Sequence, residues 1–92
     1  MRCVKGEFKA LDCLFRREKF SDPTSLNIIA TSYRTAQARY PSACEVAHRR
    51  YRAHEHRLTT CRQMYISESN YYRLLAKFLQ IAKGEYERLF PS

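Results

Sequence analysis

Between Ser42 and Tyr65, apolar and aromatic side chains recur at alternating steps of four and three residues. This spacing constrains the fold more than any other feature, because residues so placed share one face of an α-helix that turns about 100° per residue. Ser42 and Glu45 also fit the S-x-x-E capping box, which satisfies free backbone N–H groups at a helix start. The stretch therefore predicts one continuous helix, with a narrow seam of Ala47, Tyr51, His54, Leu58, Cys61 and Tyr65.

A second helix is predicted upstream, between two prolines. Asp22 is a suitable N-cap, and Pro23 fits the first helical position, where its missing N–H costs nothing. Pro41 ends this helix, since the residue before a proline is pushed out of the α-helical region. The predicted helix runs from about Pro23 to Arg39, with an apolar stripe of Leu26, Ile29, Tyr33, Ala36 and Tyr40.

Two further helices are predicted at the ends of the chain, over residues 4–19 and Tyr71–Leu89. The second of these has an unusually broad apolar face, which includes Leu74 and Ile81. A face that broad needs covering on more than one side. We expect this helix either to lie at the centre of the bundle or to dock on a partner.

Composition supports a small all-α domain. The chain has 92 residues with only two glycines and three prolines, which argues against a fold of many tight turns. We expect a single domain over residues 1–92, built as an all-α bundle of three to four helices. We expect no membrane-spanning segment, because no apolar run approaches about 20 residues.

Charge indicates the kind of partner. Seventeen Lys and Arg residues against nine Asp and Glu give a net charge of +8, which favours a polyanionic partner. Several arginines fall outside the predicted apolar seams and are expected to face a partner. These candidate partner-binding residues are Arg34, Arg39, Arg49, Arg50, Arg52 and Arg57.

The sequence offers no chemistry for catalysis. It contains no nucleophile elbow, no glycine-rich phosphate loop and no paired carboxylates in an expected context. On a continuous helix, Cys44 and His48 lie at least a turn and a half from His54 and Cys61, so they cannot converge on zinc. We expect no enzymatic activity, and no bound cofactor or metal.

The four cysteines allow two interpretations. Cys3 and Cys13 show a C-x9-C spacing that resembles half of the twin C-x9-C motif of small proteins of the mitochondrial intermembrane space. A bridge between these two along one helix is excluded, since ten residues separate their Cα atoms by about 15 Å. The favoured interpretation is four reduced cysteines used as small apolar side chains.

Arginines interleaved with tyrosines are compatible with RNA as well as with protein. Arginine forks suit phosphates, and tyrosine rings stack on unpaired bases. However, Tyr33, Tyr40, Tyr51 and Tyr65 all fall on predicted core stripes. A ribonucleoprotein subunit, mitochondrial ribosomal or other, that binds RNA phosphates therefore stays the alternative function.

Three short segments resemble a known family. Leu14-Phe15-Arg16 and Ser32-Tyr33-Arg34 resemble the L-Y-R tripeptide of the LYR family, and Tyr51-Arg52 resembles its downstream aromatic–arginine step. LYR proteins are small, basic, mitochondrial three-helix proteins that serve as accessory subunits or assembly factors of respiratory complexes. They bind the acidic acyl carrier protein through arginines.

The resemblance implies a non-catalytic accessory subunit of a large mitochondrial assembly. A respiratory-chain or related energy-converting complex is favoured, with a place on the matrix side or peripheral to the membrane. It implies that Tyr33, Arg34, Tyr51 and Arg52 are the LYR-like residues. It also implies an acidic protein partner.

Overall fold

The computed structural model describes residues 6–90, which form an all-α fold and contain no β-strand. The five α-helices are α1 (Lys9–Arg16), α2 (Pro23–Arg39), α3 (Pro41–Ala47), α4 (Arg57–Met64) and α5 (Glu68–Leu89). Short 3-10 turns at Gly6–Phe8 and Glu18–Phe20 flank α1, and a π-helical turn at His48–Arg52 follows α3. The all-α prediction is confirmed, with one helix more than the highest number expected.

Helix α2 begins and ends where the sequence predicts. The Asp22 carboxylate accepts a hydrogen bond from the Ser25 backbone N–H at 3.0 Å, and Pro23 occupies the first helical position. Tyr40 leaves the helical conformation immediately before Pro41. The caps and the proline therefore set the length of α2.

The predicted capping box at the start of the third helix is wrong. Helix α3 begins at Pro41, and no side chain within residues 6–90 bonds to its first backbone N–H groups. Proline already has the φ angle of a helix, so α3 starts one residue earlier and Ser42 lies inside its first turn. Glu45 instead pairs with Arg49 at 2.9 Å.

The predicted continuous helix over 42–65 is also wrong. After the π-helical turn the backbone bends at His54, whose φ of +54° is left-handed, and α4 starts only at Arg57. The His56 side chain caps α4 by accepting from the Leu58 N–H at 3.1 Å.

Glu55 holds this corner together. Its carboxylate accepts from Arg49 at 3.0 Å and from the Thr60 hydroxyl at 2.7 Å, and so links the π-helical turn to α4. These local bonds replace those that a continuous helix would make.

The bend divides the predicted seam into a buried part and an exposed part. Ala47, Tyr51 and Cys61 are buried, whereas Leu58 is 45% exposed and Tyr65 is 94% exposed. Tyr65 ends α4 with a left-handed φ of +56°. The prediction that Tyr65 belongs to the core is therefore wrong.

Helix α5 is the centre of the bundle. It contacts α1, α2, α3 and α4, and its residues Tyr71, Leu75, Phe78, Leu79 and Ala82 are buried. Leu74 and Ile81 are half-buried against the same core. The broad apolar face predicted for this helix is thus covered largely by the chain itself.

The two terminal helices differ from their predicted limits, and α1 differs more than α5. Helix α1 spans only Lys9–Arg16 instead of the predicted 4–19, and the first two predicted positions, 4 and 5, lie outside the described residues. Helix α5 starts three residues before the predicted Tyr71, because the Ser67 hydroxyl accepts from the Asn70 N–H at 3.1 Å. None of the helices in residues 6–90 has the length and apolar character needed to cross a bilayer.

Candidate partner-binding cleft

Two arginines of the π-helical turn are paired with carboxylates of the chain itself. Arg49 contacts Glu45 at 2.9 Å and Glu55 at 3.0 Å. Arg50 contacts Asp12 at 3.2 Å and donates to the Tyr71 hydroxyl at 3.3 Å, and its side chain is only 14% exposed. Arg50 therefore stabilises the contact of α1 with the core.

Two more of the predicted arginines are also paired. The two donor nitrogens of Arg52 contact the Glu18 carboxylate at 3.3 and 3.1 Å, and its guanidinium lies 4.0 Å from the centre of the Tyr33 ring. Arg57 contacts Glu68 at 3.4 Å. Four of the six predicted partner-binding arginines thus have their charge offset within the chain.

Both tyrosines of the LYR-like set lie in the core. Tyr33 and Tyr51 pack against Phe15, with ring centroids 5.8 and 5.3 Å away. The Tyr51 hydroxyl donates to Asp12. The structure brings Tyr33, Tyr51 and Arg52 together, whereas Arg34 is exposed on α2.

The carboxylate of Asp12 is shared by three donors. Burial acts to raise the pKa of Asp12, but hydrogen bonds from Tyr51 and Arg16 and the charge of Arg50 outweigh it. The pKa of Asp12 consequently lies below the usual aspartate value. This carboxylate is ionised at neutral pH and holds α1 to the π-helical turn.

The remaining two predicted arginines differ from the other four. Within residues 6–90, neither Arg34 nor Arg39 lies within 4 Å of a carboxylate, and the same holds for Lys77 of α5. Arg39 and Lys77 line one cleft of about 450 Å³ between α2 and α5. We call it the α2–α5 cleft; it is lined by Thr35, Arg39, Tyr40, Lys77, Gln80, Ile81, Gly84, Glu85 and Arg88.

The α2–α5 cleft combines positive charge with apolar surface. The Lys77 ammonium lies 4.6 Å from the centre of the Tyr40 ring, which is 42% exposed. The cleft is lined by three cations, Arg39, Lys77 and Arg88, and by one carboxylate, Glu85. Arg88 pairs with Glu85 at 3.2 Å. A Cβ atom added to Gly84 would meet nothing within 4 Å, and the space above this glycine is open. Such a site suits a carboxylate or phosphate attached to an apolar group.

Sequence reasoning identified Arg39 but missed the rest of this cleft. Tyr40 was assigned to the apolar stripe of α2, yet it follows the last helical residue and turns partly outward. Arg73, Lys77, Gln80, Gly84 and Arg88 recur at helical spacing along α5. Their spacing is the sequence signal for this side of the cleft, and it lies opposite the broad apolar face of α5.

The cysteines agree only in part with their predicted use. Cys44 and Cys61 are buried, and the Cys44 thiol donates to the Tyr33 carbonyl oxygen at 3.6 Å. Burial raises the pKa of the Cys44 thiol, so it stays protonated at neutral pH. Cys13 is exposed and is not a core residue, while Cys3 lies outside the described residues. Residues 6–90 contain no group of three His, Cys, Asp or Glu side chains placed to hold a metal ion.

Comparisons with models of protein families, with curated proteins and with solved structures found no match.

Proposed function

We propose that the chain is a non-catalytic, basic accessory subunit that docks an acidic protein partner in the α2–α5 cleft. One observation carries this proposal. Arg39 and Lys77 flank an open, partly apolar cleft, and neither meets a carboxylate of residues 6–90. Cations that have no counter-charge within the chain gain the most electrostatic binding energy from a carboxylate on a partner.

The same distribution of charge favours a protein over RNA. An RNA-binding face neutralises many phosphates in a row, and its affinity comes mainly from those contacts. Here the arginines of the π-helical turn are engaged by Glu45, Glu55, Asp12 and Glu18. A few unpaired cations around Tyr40 and Ile81 suit a few carboxylates backed by apolar side chains.

The LYR-like segments supply the setting of this proposal. They support a role in a large mitochondrial assembly, with a respiratory-chain or related energy-converting complex as the first candidate and acyl carrier protein as a candidate acidic partner. The cleft refines that proposal by replacing the arginines of the π-helical turn with Arg39 and Lys77 as the main contacts. Arg34, exposed on the same helix as Arg39, is a secondary contact in the proposal.

The test compares retention of tagged variants in the native assembly of the source cell. One variant removes both charges, Arg39→Gln with Lys77→Gln, and another fills the cleft, Gly84→Leu. Leucine favours the helix over glycine, and its Cβ would meet no atom within 4 Å, so we expect Gly84→Leu to fold; a circular dichroism melt of the variant checks this. Arg62→Gln and Gly84→Ala are the matched controls.

We expect both cleft variants to lose retention by roughly tenfold or more, and both controls to keep it. Treatment with ribonuclease should leave the wild-type chain in the assembly. Retention of both cleft variants would contradict the proposal. Release of the wild-type chain by ribonuclease would replace it with the ribonucleoprotein alternative.

A further inference from the structure

A second groove opens beside the N-terminal end of α2. It measures about 650 Å³ and is lined by Phe15, Arg16, Glu18, Lys19, Phe20, Leu26, Tyr51, Arg52 and His54. Phe20 is 81% exposed and Leu26 is 41% exposed, whereas Phe15 and Tyr51 beneath them are buried. We call it the Phe20 groove. It has an apolar floor and two exposed apolar side chains at its edge.

Positive charge surrounds this apolar surface. The charged residues of the Phe20 groove are Arg16, Lys19 and Arg52 against Glu18 alone, with His54 beside them. Glu18 is engaged by Arg52 at 3.1 Å and Arg16 is engaged by Asp12 at 2.9 Å, whereas Lys19 meets no carboxylate within residues 6–90. The groove as a whole therefore favours an anionic occupant with apolar side chains.

We infer that the Phe20 groove docks an amphipathic acidic segment of a protein partner. In this arrangement an apolar side chain packs between Phe20 and Leu26, and a flanking carboxylate meets Lys19. A second copy of the chain is a poor occupant, because the chain has a net charge of +8 and its described acids are mostly engaged. Those in ion pairs are Glu7, Asp12, Glu18, Glu45, Glu55, Glu68 and Glu85.

The Phe20 groove is separate from the α2–α5 cleft. Leu26 and Arg39 stand thirteen positions apart on α2, which is roughly 20 Å at about 1.5 Å per residue. The two surfaces share no lining residue. If both surfaces are occupied, the chain bridges two acidic segments. Because the surfaces are separate, the test of one can fail while the test of the other succeeds.

The absence of tryptophan from the sequence allows a direct test. Phe20→Trp places a single tryptophan at the edge of the groove, where burial by an occupant shifts its emission to the blue. The probe is a synthetic amphipathic helical peptide with leucine on one face and glutamate on the other. A second peptide, with lysine in place of every glutamate, controls for apolar contact alone. Tyr65→Trp, at a residue that is 94% exposed elsewhere, is the matched fluorophore control.

We expect a saturable blue shift of the Phe20→Trp emission with the acidic peptide, and none with the lysine peptide. Tyr65→Trp should show no shift. Adding Lys19→Glu to Phe20→Trp should weaken binding by roughly tenfold. Adding Arg39→Gln and Lys77→Gln should leave it unchanged, since those residues belong to the other surface.

Four results would overturn the inference. The first is no shift at any peptide concentration, and the second is an equal shift with both peptides. The third is a shift when the chain alone is concentrated, which would assign the groove to a second copy. The fourth is a shift with phosphatidylserine vesicles but not with the acidic peptide, which would assign it to a membrane surface.

Discussion

Tyr33 and Tyr51 occupy equivalent positions in the sequence pattern, yet their hydroxyl groups meet different surroundings. The Tyr51 hydroxyl donates to the Asp12 carboxylate, which lies 39 positions away. The Tyr33 hydroxyl is buried, and no group within residues 6–90 bonds to it. Helical spacing predicted that both rings belong to the core, and both do. It could not predict the hydroxyl partner, because that depends on which distant residue the fold brings near.

The two tyrosines should respond in opposite directions to removal of the hydroxyl. Tyr51→Phe should lower the free energy of unfolding by about 1.5–3 kcal/mol, because it breaks a hydrogen bond to a charged group. Tyr33→Phe should raise it by about 1 kcal/mol, because it removes a buried polar group that has no partner. Chemical denaturation of the two variants beside the wild type measures both values. Equal destabilisation by the two variants would contradict the assigned environments.

Asp12 makes the free energy of unfolding depend on pH in the acid range. Burial raises the pKa of Asp12, but Tyr51, Arg16 and Arg50 together lower it below the unfolded value. A depressed carboxylate pKa contributes stability above the unfolded pKa, near pH 4, and loses it as the pH falls through the folded pKa. In Asp12→Asn the free energy of unfolding should no longer include the decrease caused by protonation of Asp12 at acid pH. At pH 7 the variant should be less stable than the wild type. Denaturation curves between pH 7 and pH 2 measure the free energy of unfolding of both proteins. If it fell as steeply with acid in the variant as in the wild type, the role of Asp12 would be refuted.

At the scale of helices, the Asp22 cap and the two prolines gave correct boundaries for α2, whereas the Ser42 capping box and the helical period did not give those of the next helix. Asp22, Pro23 and Pro41 set the limits of α2 as predicted. The apolar period continued unbroken through residues 48–56, where the backbone bends. The bend depends on local side-chain hydrogen bonds of Glu55 and on a left-handed backbone at His54, and neither can be read from the spacing of apolar residues. Propensity and pattern are thus overridden there by local hydrogen bonds.

Ser67 shows how one residue type supports opposite interpretations. The sequence Ser67-Glu68-Ser69-Asn70 is typical of a frayed helix end, because such side chains compete with the backbone for hydrogen bonds. The same competition makes Ser67 the N-cap of α5. We expect Ser67→Ala to lower the free energy of unfolding by about 1 kcal/mol. Ser69→Ala, at an exposed position inside the first turn, is the control and should have little effect on the denaturation midpoint. Equal losses in both variants would argue against the cap.

At the scale of the whole molecule, the sequence predicted the fold class better than the binding surface. The helical spacing of apolar residues was enough to indicate an all-α bundle, because it marks which face of each helix is buried. The partner-binding arginines were chosen from charge alone, and charge does not reveal which arginines meet a carboxylate after folding. Arg49, Arg50, Arg52 and Arg57 are paired across turns and helices, and of the six candidates only Arg34 and Arg39 meet no carboxylate of residues 6–90. Lys77 joins Arg39 through the packing of α5 on α2, which no local pattern encodes.

Zero-length carbodiimide crosslinking of the native assembly tests the central claim most directly. The reagent activates a carboxylate, and the neighbouring lysine amine then displaces the urea to form an amide, so it joins only groups that are in contact and identifies the carboxylate that meets Lys77. The proposal predicts an amide between Lys77 and an aspartate or glutamate of another protein, lost when Arg39→Gln removes the neighbouring cation or Gly84→Leu fills the cleft. A Lys77 that stays unmodified in the intact assembly, or that joins only carboxylates of its own chain, would contradict it.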